Sequence, residues 1–362
     1  MNIAIIGAGP VGCYAGYLLA KSGRHQVSIY DRKPQLGLPV QCTGLLTADF
    51  DQFHLPLDSY LVNTFNHAEV YSPHKKIRIA QKEYLVCRTK FDNFFADLAR
   101  KAGAEILVSH TFLRKEGVSL IIRNTVNKKE KSIAPDLVLA ADGPLSPTAK
   151  AYGFYHPQRE NYFGIQATVK GNFEAQTYQT FFGNEICPGL FAWIVPESST
   201  TARVGLATKR NTRHYFDTFL QRNNFTALEI QAGAIPVYHP WQKLQKENCY
   251  LLGDAAGFVK ATTLGGLVPG LKQAEILADC LNHKKDYRRE VEPLAKRLRL
   301  HLKIRTLLDK FSDKDWDRLV SYVAQPRVQQ VLEKYTRDNP VPLVTQALLK
   351  EPRLLYFLRY VV

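Results

Sequence analysis

The sequence predicts a mixed α/β fold that combines a parallel sheet, a second and antiparallel sheet, and a helical C-terminal region. Three observations support this prediction. An apolar strand at the N-terminus runs into a glycine turn at residues 7–12 and then into a helix. Two later apolar segments end in aspartate–glycine turns, one near residue 142 and one near residue 254. Residues 155–245 alternate and are rich in aromatic side chains, as antiparallel strands are, and the pattern is helical from Gly265 onward.

The first turn has the glycine spacing of a dinucleotide phosphate site. Gly7 permits the tight turn, Gly9 lets the backbone approach a pyrophosphate, and Gly12 lets the helix pack on the strand. Pro10 and Val11 open the helix, whose free N–H groups and positive dipole end favour phosphate. The turn is therefore expected to bind the phosphates of a dinucleotide.

An acidic residue follows at the distance that such a site requires. The second strand, residues 26–30, ends directly before Asp31, which is expected to bind ribose hydroxyls, and Arg32 beside it is assigned to the same cofactor site. An acid at this position disfavours a 2′-phosphate. FAD or NAD is therefore a better fit than NADP.

The later turns distinguish a flavin from a nicotinamide cofactor. A short strand at residues 248–252 leads to Gly253 and Asp254, and the aspartate is expected to reach the ribityl hydroxyls of a flavin. Gly265 and Gly266 would place backbone N–H groups near the flavin ring or its phosphates. An ordinary NAD dehydrogenase has no need of such a second turn.

A third turn lies between the other two along the chain. The apolar strand at residues 136–141 ends at Asp142 and Gly143, which we also assign to the cofactor site. Each aspartate–glycine pair alone is typical of a simple turn. The three turns in this order predict a two-dinucleotide-binding, Rossmann-like FAD fold of the para-hydroxybenzoate hydroxylase type.

Length and composition suggest how the chain is divided. With 362 residues, 45% of them hydrophobic, the chain can form two substantial cores. We expect an FAD-binding domain in residues 1–150, to which residues 248–285 return. Residues 151–247 are expected to form the antiparallel substrate domain, and residues 286–362 a helical C-terminal region.

Several classes of protein are disfavoured by the sequence. No apolar run approaches the roughly 20 residues that span a bilayer, and no secretory leader precedes the first strand, so we expect a cytoplasmic protein. The six cysteines are scattered, with no C-x-x-C pair and no histidine at metal-ligand spacing. We therefore expect no metal site.

The net charge of +15 is large, and many basic residues lie between positions 284 and 305. Nucleic acid and anionic lipid both attract such a protein. Without a nucleic-acid motif, the charge favours peripheral contact with an anionic membrane, at the inner face of the cell membrane, or a phosphate-bearing substrate. A solvated helix face explains the same run equally well.

Three further segments carry a resemblance to a known family. The segment 188–196, PGLFAWIVP, the loop 36–42 and the helix start 88–92 resemble the geranylgeranyl reductase family, and the resemblance extends over almost the full chain. It is strongest to the archaeal members that act on digeranylgeranyl glycerophospholipids. These are FAD enzymes that hydrogenate carbon–carbon double bonds of isoprenoid chains.

The resemblance implies roles for individual residues. Cys42 would lie beside the flavin as the candidate catalytic residue and Arg88 would face the cofactor. An apolar tunnel would hold the isoprenoid chain against the flavin. Its wall would include Phe181, Phe191, Trp193, Ile194 and Pro196. Without the resemblance, these aromatic residues would be interpreted as ordinary sheet core.

The sequence also departs from the family. Lys260 and Ala261 stand where an aspartate–proline pair is usual, and Leu264 replaces the first glycine of a triplet. Thr43 and Gly44 follow Cys42, where a glycine and a glutamate are frequent. These changes leave open the electron donor, NAD(P)H or a ferredoxin-like protein, and the source of the proton.

Two other functions share most of these features. A flavin monooxygenase of the hydroxylase type has the same glycine turn and both aspartate–glycine turns, but it uses oxygen and NADPH. An electron-transfer flavoprotein that passes electrons to a quinone is the third possibility. Its iron–sulfur kind is disfavoured because the chain has no cysteine cluster.

Overall fold

The computed structural model describes residues 1–156 and 158–360. The strands are β1 (Asn2–Ile6), β2 (Gln26–Tyr30), β3 (Leu45–Thr47), β4 (Leu61–Tyr71), β5 (Lys76–Val86), β6 (Glu105–Leu107), β7 (His110–Glu116), β8 (Ser119–Asn124), β9 (Glu130–Ile133), β10 (Leu137–Ala140), β11 (Asn161–Lys170), β12 (Thr177–Phe181), β13 (Ala192–Pro196), β14 (Thr201–Thr208), β15 (Ala227–Pro236), β16 (Gln245–Lys246) and β17 (Cys249–Leu251). The α-helices are α1 (Pro10–Lys21), α2 (Arg88–Lys101), α3 (Pro147–Ala151), α4 (Thr212–Arg222), α5 (Leu267–His283), α6 (Tyr287–Leu308), α7 (Asp313–Val323), α8 (Pro326–Lys334) and α9 (Pro340–Lys350). Single 3₁₀ segments cover Ala48–Phe53, Gly253–Ala256 and Pro352–Tyr360.

The first sheet has the strand order β16-β17-β10-β1-β2-β6. All its neighbouring strands are parallel except the edge pair of β16 with β17. A Cβ atom at Gly16 would lie 2.6 Å from Cδ1 of Ile29, so α1 packs closely on the sheet only because this residue is glycine. The carboxyl ends of β1, β10 and β17 meet at one edge of the sheet. The three turns found in the sequence are therefore neighbours in space.

The second sheet has eight strands in the order β15-β11-β14-β13-β12-β4-β5-β3. The expected antiparallel segments are present, but β12 pairs with β4 in parallel, so the sheet is mixed. Strands β3, β4 and β5 reach it from the N-terminal part of the chain. This crossover depends on long-range pairing, which local sequence patterns do not report. The domain division stays a prediction.

One face of the second sheet is covered by α4. Phe216 and Phe219 of this helix pack into a buried cluster with Ile165, Ile194 and Val204 of the sheet. At about 25 cal/mol per Å² of buried apolar area, burying each such side chain contributes roughly 1.5–3 kcal/mol. The cluster thus fixes which side of β13 is core and which side can serve a ligand.

The C-terminal part is helical, as predicted. Helix α7 begins with a capping box, in which the Ser312 side chain accepts from Asp315 N–H and Asp315 accepts from Ser312 N–H. Phe311, Trp316 and Phe357 form a separate aromatic cluster that packs against Phe182 of the second sheet's loop. No helix in the described part of the chain is both long and apolar enough to cross a bilayer.

Candidate functional site

The glycine turn after β1 is shaped as a phosphate cradle. Gly7 has φ +107° and a Cβ atom there would collide with the Ala141 carbonyl, and one at Gly12 would collide with the Gly7 carbonyl. A Cβ atom at Gly9 would meet nothing within 4 Å. The protein's own packing therefore requires glycine at positions 7 and 12 but not at 9. The open space at Gly9, beside the uncapped N-terminus of α1 at Pro10, is suited to a phosphate.

Asp31 lies at the end of β2, beside this turn. Its Oδ2 accepts a hydrogen bond from the Ala8 N–H at 2.8 Å, and its Oδ1 accepts from the Lys33 N–H at 2.8 Å. The carboxylate is therefore held where the ribose of a bound dinucleotide is expected. Arg32 is exposed and lines a cleft together with Pro39 and Gln41 of the loop that leads to Cys42.

The Asp142 carboxylate is occupied within the protein. It accepts hydrogen bonds from the Ser146 hydroxyl and, at 3.1 Å, from the Thr148 N–H at the start of α3. Burial raises the pKa of Asp142, and these hydrogen bonds oppose the increase. Gly143 has φ +87° and open space at its Cβ position. This turn thus shapes the site through its backbone, because Ala141 contacts Gly7.

The turn after β17 packs on the first turn and exposes a free carboxylate to the site. Gly253 has φ +57°, and a Cβ atom there would lie 3.3 Å from Val11 Cγ1. Among the described residues, no group donates a hydrogen bond to the Asp254 carboxylate. Burial raises the pKa of Asp254, while the charges of Arg88 and Arg159 lower it. A carboxylate without donors fits the hydroxyl groups of a ribityl chain.

Arg159 holds this turn and was missed by the sequence analysis. Its guanidinium donates to the carbonyls of Asp254 at 2.7 Å and of Ala255 at 2.8 Å. Its pKa is lowered by burial. No local motif marks it, since Arg159 precedes β11, which belongs to the other sheet.

Gly265 and Gly266 close the same region. A Cβ atom at Gly266 would lie 2.8 Å from Asp254 Oδ1, and one at Gly265 would lie 3.0 Å from Lys260 Cε. Gly266 is the N-cap of α5 and has no side-chain cap, so the first N–H groups of α5 are available to a ligand. The structure therefore brings together the turns that follow β1, β10 and β17 and the glycine pair at the start of α5.

Cys42 and Arg88, which the resemblance places near the flavin, are neighbours in the structure. Arg88 pairs with Asp92 through Nε at 3.0 Å and Nη2 at 3.2 Å. Burial opposes the charge of Arg88, but Asp92 and Cys42 outweigh it and raise its pKa. Cys42 is half-buried and its Sγ accepts from the Gly44 N–H at 3.4 Å. The thiol therefore lies beside a permanent cation.

The Cys42 loop rests on the face of the second sheet that α4 does not cover. Thr43 Oγ1 donates to Gln166 Oε1 at 2.7 Å. Gln166 and Trp193 both flank Gly205, where an added Cβ atom would lie 2.6 Å from each side chain. The Trp193 indole N–H is buried without a hydrogen-bond partner in the described chain. Cys42 and Trp193 thus belong to the same side of the sheet.

The other predicted tunnel residues do not share one wall. Phe191 lies 6.1 Å from Trp193 between ring centroids. Ile194 lies in the cluster against α4, and Phe181 contacts Phe219 of α4 with ring centroids 5.3 Å apart. Pro196 is buried at the end of β13. Neighbouring residues of a strand point to opposite faces, so Trp193 and Ile194 cannot line the same tunnel wall.

A buried polar network joins the site to the C-terminal helices. Lys260 Nζ pairs with Asp338 Oδ1 at 2.6 Å, and Thr47 donates to Asp338 Oδ2 at 2.5 Å. Burial lowers the pKa of Lys260, and the Lys260 ammonium outweighs burial to lower the pKa of Asp338. Beside them is a cavity of about 230 Å³ that His301 and Asp49 also line. Asp338 was not predicted, because only the tertiary fold brings it to Lys260.

Metal chemistry finds no support in the side-chain geometry. Across residues 1–156 and 158–360, no three His, Cys, Asp or Glu side chains are grouped so that they could hold a metal ion. Four of the six free cysteines are buried, and only Cys42 and Cys87 are half-buried. Cys42 is thus one of two cysteines with any access.

Dinucleotide-binding turns at the edge of one sheet, facing a large mixed sheet, define a two-dinucleotide-binding oxidoreductase. Residues 5–73 match the family model of the NAD(P)-binding Rossmann-like domain. The chain is also 28% identical to a protein named digeranylgeranylglycerophospholipid reductase from Methanocaldococcus jannaschii, over 99% of this chain and 97% of that protein.

Solved structures give the same result at the level of fold. A geranylgeranyl bacteriochlorophyll reductase-like protein from Thermoplasma acidophilum superposes with a TM-score of 0.84 at 21% identity, over 100% of this chain and 99% of that chain. A probable FAD-dependent monooxygenase from Pseudomonas aeruginosa superposes with a TM-score of 0.67 at 17% identity, over 89% of this chain and 99% of that chain.

These matches confirm the resemblance to the geranylgeranyl reductase family and the predicted fold class. They also confirm the prediction of an oxidoreductase and agree with FAD as its cofactor. The individual site residues stay predictions.

Proposed function

We propose that this chain is an FAD-dependent reductase that saturates carbon–carbon double bonds in the geranylgeranyl chains of membrane phospholipids. The observation that carries the proposal is the convergence of three elements. The three cofactor turns meet at one sheet edge. The charge of Arg88, which lies beside Cys42, lowers the pKa of Asp254. The Cys42 loop rests on the sheet face that carries Trp193. The name of the archaeal relative supports the lipid substrate.

The residues of this chain would act by binding and by proton delivery. FAD, when bound and reduced, supplies a hydride, so an unpolarised double bond also needs a proton at its other carbon. Cys42 Sγ is the group proposed to deliver that proton, and Arg88 beside it stabilises the thiolate that remains. Phe191 and Trp193 would hold the apolar chain flat and exclude water. Backbone N–H groups at Gly9 and Gly266, with Asp31 and Asp254, would hold the cofactor.

The electron donor is proposed to be NAD(P)H or a ferredoxin-like protein. We also propose peripheral contact with an anionic membrane on the cytoplasmic side. Exposed basic residues of α6, Arg288, Arg289 and Lys296, support that contact. Leu355 and Leu358, each 49% exposed in the C-terminal 3₁₀ segment, add apolar surface. The last two residues of the proposed tail, Val361 and Val362, lie outside the described residues.

An anaerobic reaction tests the proposed function. The dithionite-reduced holoenzyme is mixed with a geranylgeranyl phospholipid, and flavin absorbance and lipid mass are followed. The flavin should reoxidise while the lipid gains one hydrogen molecule per double bond. A lipid that stays unchanged without oxygen, but gains an oxygen atom when oxygen and NADPH are supplied, would instead establish the monooxygenase alternative.

A further inference from the structure

Arg305 of α6 is a buried cation whose hydrogen-bonding groups are not used. Its side chain is 2% exposed, and neither Nη1 nor Nη2 has a hydrogen-bond partner within residues 1–156 and 158–360. Asp309 Oδ1 lies 2.7 Å from Nε, and this carboxylate is about one-third exposed. Asp309 therefore contacts the guanidinium of Arg305 at Nε and leaves Nη1 and Nη2 without an acceptor among the described residues. The basic run noted in the sequence is thus not entirely a surface feature.

Arg305 and Asp309 lie close to the proposed substrate site. The charge of Arg305 reaches the Tyr162 hydroxyl and the Cys187 thiol, whose pKa values burial raises and Arg305 lowers. Asp309 lies near Gly189, in the loop that leads to Phe191 and Trp193. Tyr162 and Gln166 are four residues apart on β11, so their side chains point to the same face of the sheet, which is the face that carries Trp193.

The preceding turn of α6 links Arg305 to the loop that carries Gly265 and Gly266. His301 is one turn earlier on the same buried face, 3% exposed, and its Nδ1 lies 2.7 Å from Thr262 Oγ1. The other ring nitrogen, Nε2, is buried without a partner in the described part of the chain. Burial lowers the pKa of His301 to about 4, so the ring is neutral at pH 7. The Nη groups of Arg305 and Nε2 of His301 are therefore polar groups on the same buried face of α6 that the described residues leave unused.

A buried guanidinium with free Nη groups is unfavourable without an acceptor. Its planar fork matches an oxyanion that accepts two parallel hydrogen bonds, as phosphate does. A carboxylate fits the same fork, but the polar head of the substrate proposed above carries phosphate.

We propose that Arg305 forms an internal binding site for a phosphate or diphosphate group, and that the group is the polar head of the isoprenoid substrate. The second part rests on the proposed function. Bidentate contact with Arg305 would fix one end of the substrate while its chain extends along the Trp193 face. Arg305 is then a substrate-binding residue, and Asp309 is the residue that positions it.

Binding measurements with the FAD-loaded protein in its oxidised state test the site without turnover. The probes are geranylgeranyl diphosphate, the neutral alcohol geranylgeraniol, and inorganic diphosphate. The proteins are wild type, Arg305→Met, Asp309→Asn and, as a matched control, Arg289→Met, which alters an exposed arginine of the same helix. Wild type and control should bind the diphosphate lipid at least about tenfold more tightly than the alcohol.

Arg305→Met should abolish that difference, keep its affinity for the alcohol, and leave flavin content and thermal stability at or above the wild-type level. Asp309→Asn should bind the anionic probes more tightly, because the amide oxygen can still accept from Nε and hold Arg305 in place while the competing negative charge is removed. Inorganic diphosphate that binds in an Arg305-dependent way while neither lipid binds would support the anion site and contradict the lipid head group, and with it the proposed function.

Two results would overturn the anion site itself. The first is a folded Arg305→Met protein whose affinities for all anionic probes equal those of wild type. The second is unchanged anion affinity in Asp309→Asn when Arg305→Met does not fold, which would make Arg305 and Asp309 a purely structural ion pair.

Discussion

At the scale of single residues, Gly9 and Asp254 are the clearest signs of a cofactor. Gly7 and Gly12 are glycine because protein atoms occupy the space beside them, whereas the space beside Gly9 is open. Asp254 carries a raised pKa and has no donor among the described residues. Without a ligand, the space beside Gly9 is unfilled and the Asp254 carboxylate is buried without a hydrogen-bond donor from the described residues. A bound FAD explains both features.

Gly9→Val should therefore fold but lose FAD, because its side chain fills the phosphate space without meeting protein atoms. The measurement is flavin absorbance per protein together with the melting temperature of the apoprotein. Gly189→Ala is the control, since Gly189 lies away from the turns and its φ of +78° predicts a loss of stability of about 1 kcal/mol with flavin retained. Full flavin content in Gly9→Val would contradict the assignment of Gly9 to the phosphate site of FAD.

Cys42→Ala should slow flavin reoxidation by the lipid about 100-fold or more, as expected for loss of a proton donor. Lipid affinity should change little, because the thiol acts mainly in the transition state. Cys87→Ala is the matched control, since Cys87 is the other half-buried cysteine. Stopped-flow traces of both variants decide the question, and equal rates would show that another group supplies the proton.

At the scale of elements, the loop of Lys260 is tied to the C-terminal helices. Lys260 is 4% exposed, and its partner Asp338 lies between α8 and α9. The backbone folds tightly around Lys260, because Thr263 and Leu264 N–H groups donate to its carbonyl. The ion pair therefore holds the segment that carries Gly265 and Gly266.

Lys260→Met should destabilise the protein by about 3–5 kcal/mol, because Asp338 is left as a buried and unpaired charge. The double variant Lys260→Met/Asp338→Leu should recover most of that loss, since no charge then remains. Chemical denaturation of the two single variants and the double variant measures the coupling. A double variant as unstable as the sum of the singles would show that the pair does not interact.

Acid should weaken the same ion pair. Because Lys260 holds the pKa of Asp338 below its usual value of about 3.9, the stabilisation is present at neutral pH. It is lost as the pH falls from about 4 through the lowered pKa. Unfolding free energies of wild type and Asp338→Asn should therefore converge at low pH, and parallel pH profiles would contradict this assignment.

At the scale of the whole molecule, only part of the net charge of +15 is exposed and free to interact with an anionic surface. Arg305 is buried and Arg299 pairs with Glu292, whereas Arg288, Arg289 and Lys296 are exposed. Each exposed basic residue near an anionic surface contributes about 1 kcal/mol, which salt screens. The membrane contact proposed here therefore depends on both charge and the apolar C-terminal segment.

Flotation with acidic vesicles should fall steeply as salt rises, and Leu355→Asp/Leu358→Asp should weaken it further. Val118→Asp is the control, since Val118 is also exposed, at 75%, but lies in the turn between β7 and β8. Equal binding to neutral and acidic vesicles at all salt concentrations would rule out the electrostatic part.

The sequence by itself determined the cofactor turns, because glycine spacing, an apolar strand and an acidic residue are local requirements of one chain segment. The strand β2 begins and ends at the predicted residues, and α1 begins at Pro10, directly after the glycine turn's Gly9. The aromatic segment 188–196 contains the strand β13, but its sequence did not show which side chains share a face of that strand. Trp193 and Ile194 were assigned to one wall, and only the packing of α4 shows which of them is core.

Only the tertiary structure decided which distant residues meet. Strand β4 pairs with β12 and brings β5 and β3 into the second sheet. Arg159 holds the Asp254 turn, Asp338 neutralises Lys260, and Arg305 is buried. None of these has a local pattern, since each depends on contacts between segments far apart in the chain. A charged side chain in a helix is predicted from sequence to be exposed to solvent. Its burial depends on the other elements that pack against that helix, which only the tertiary structure shows.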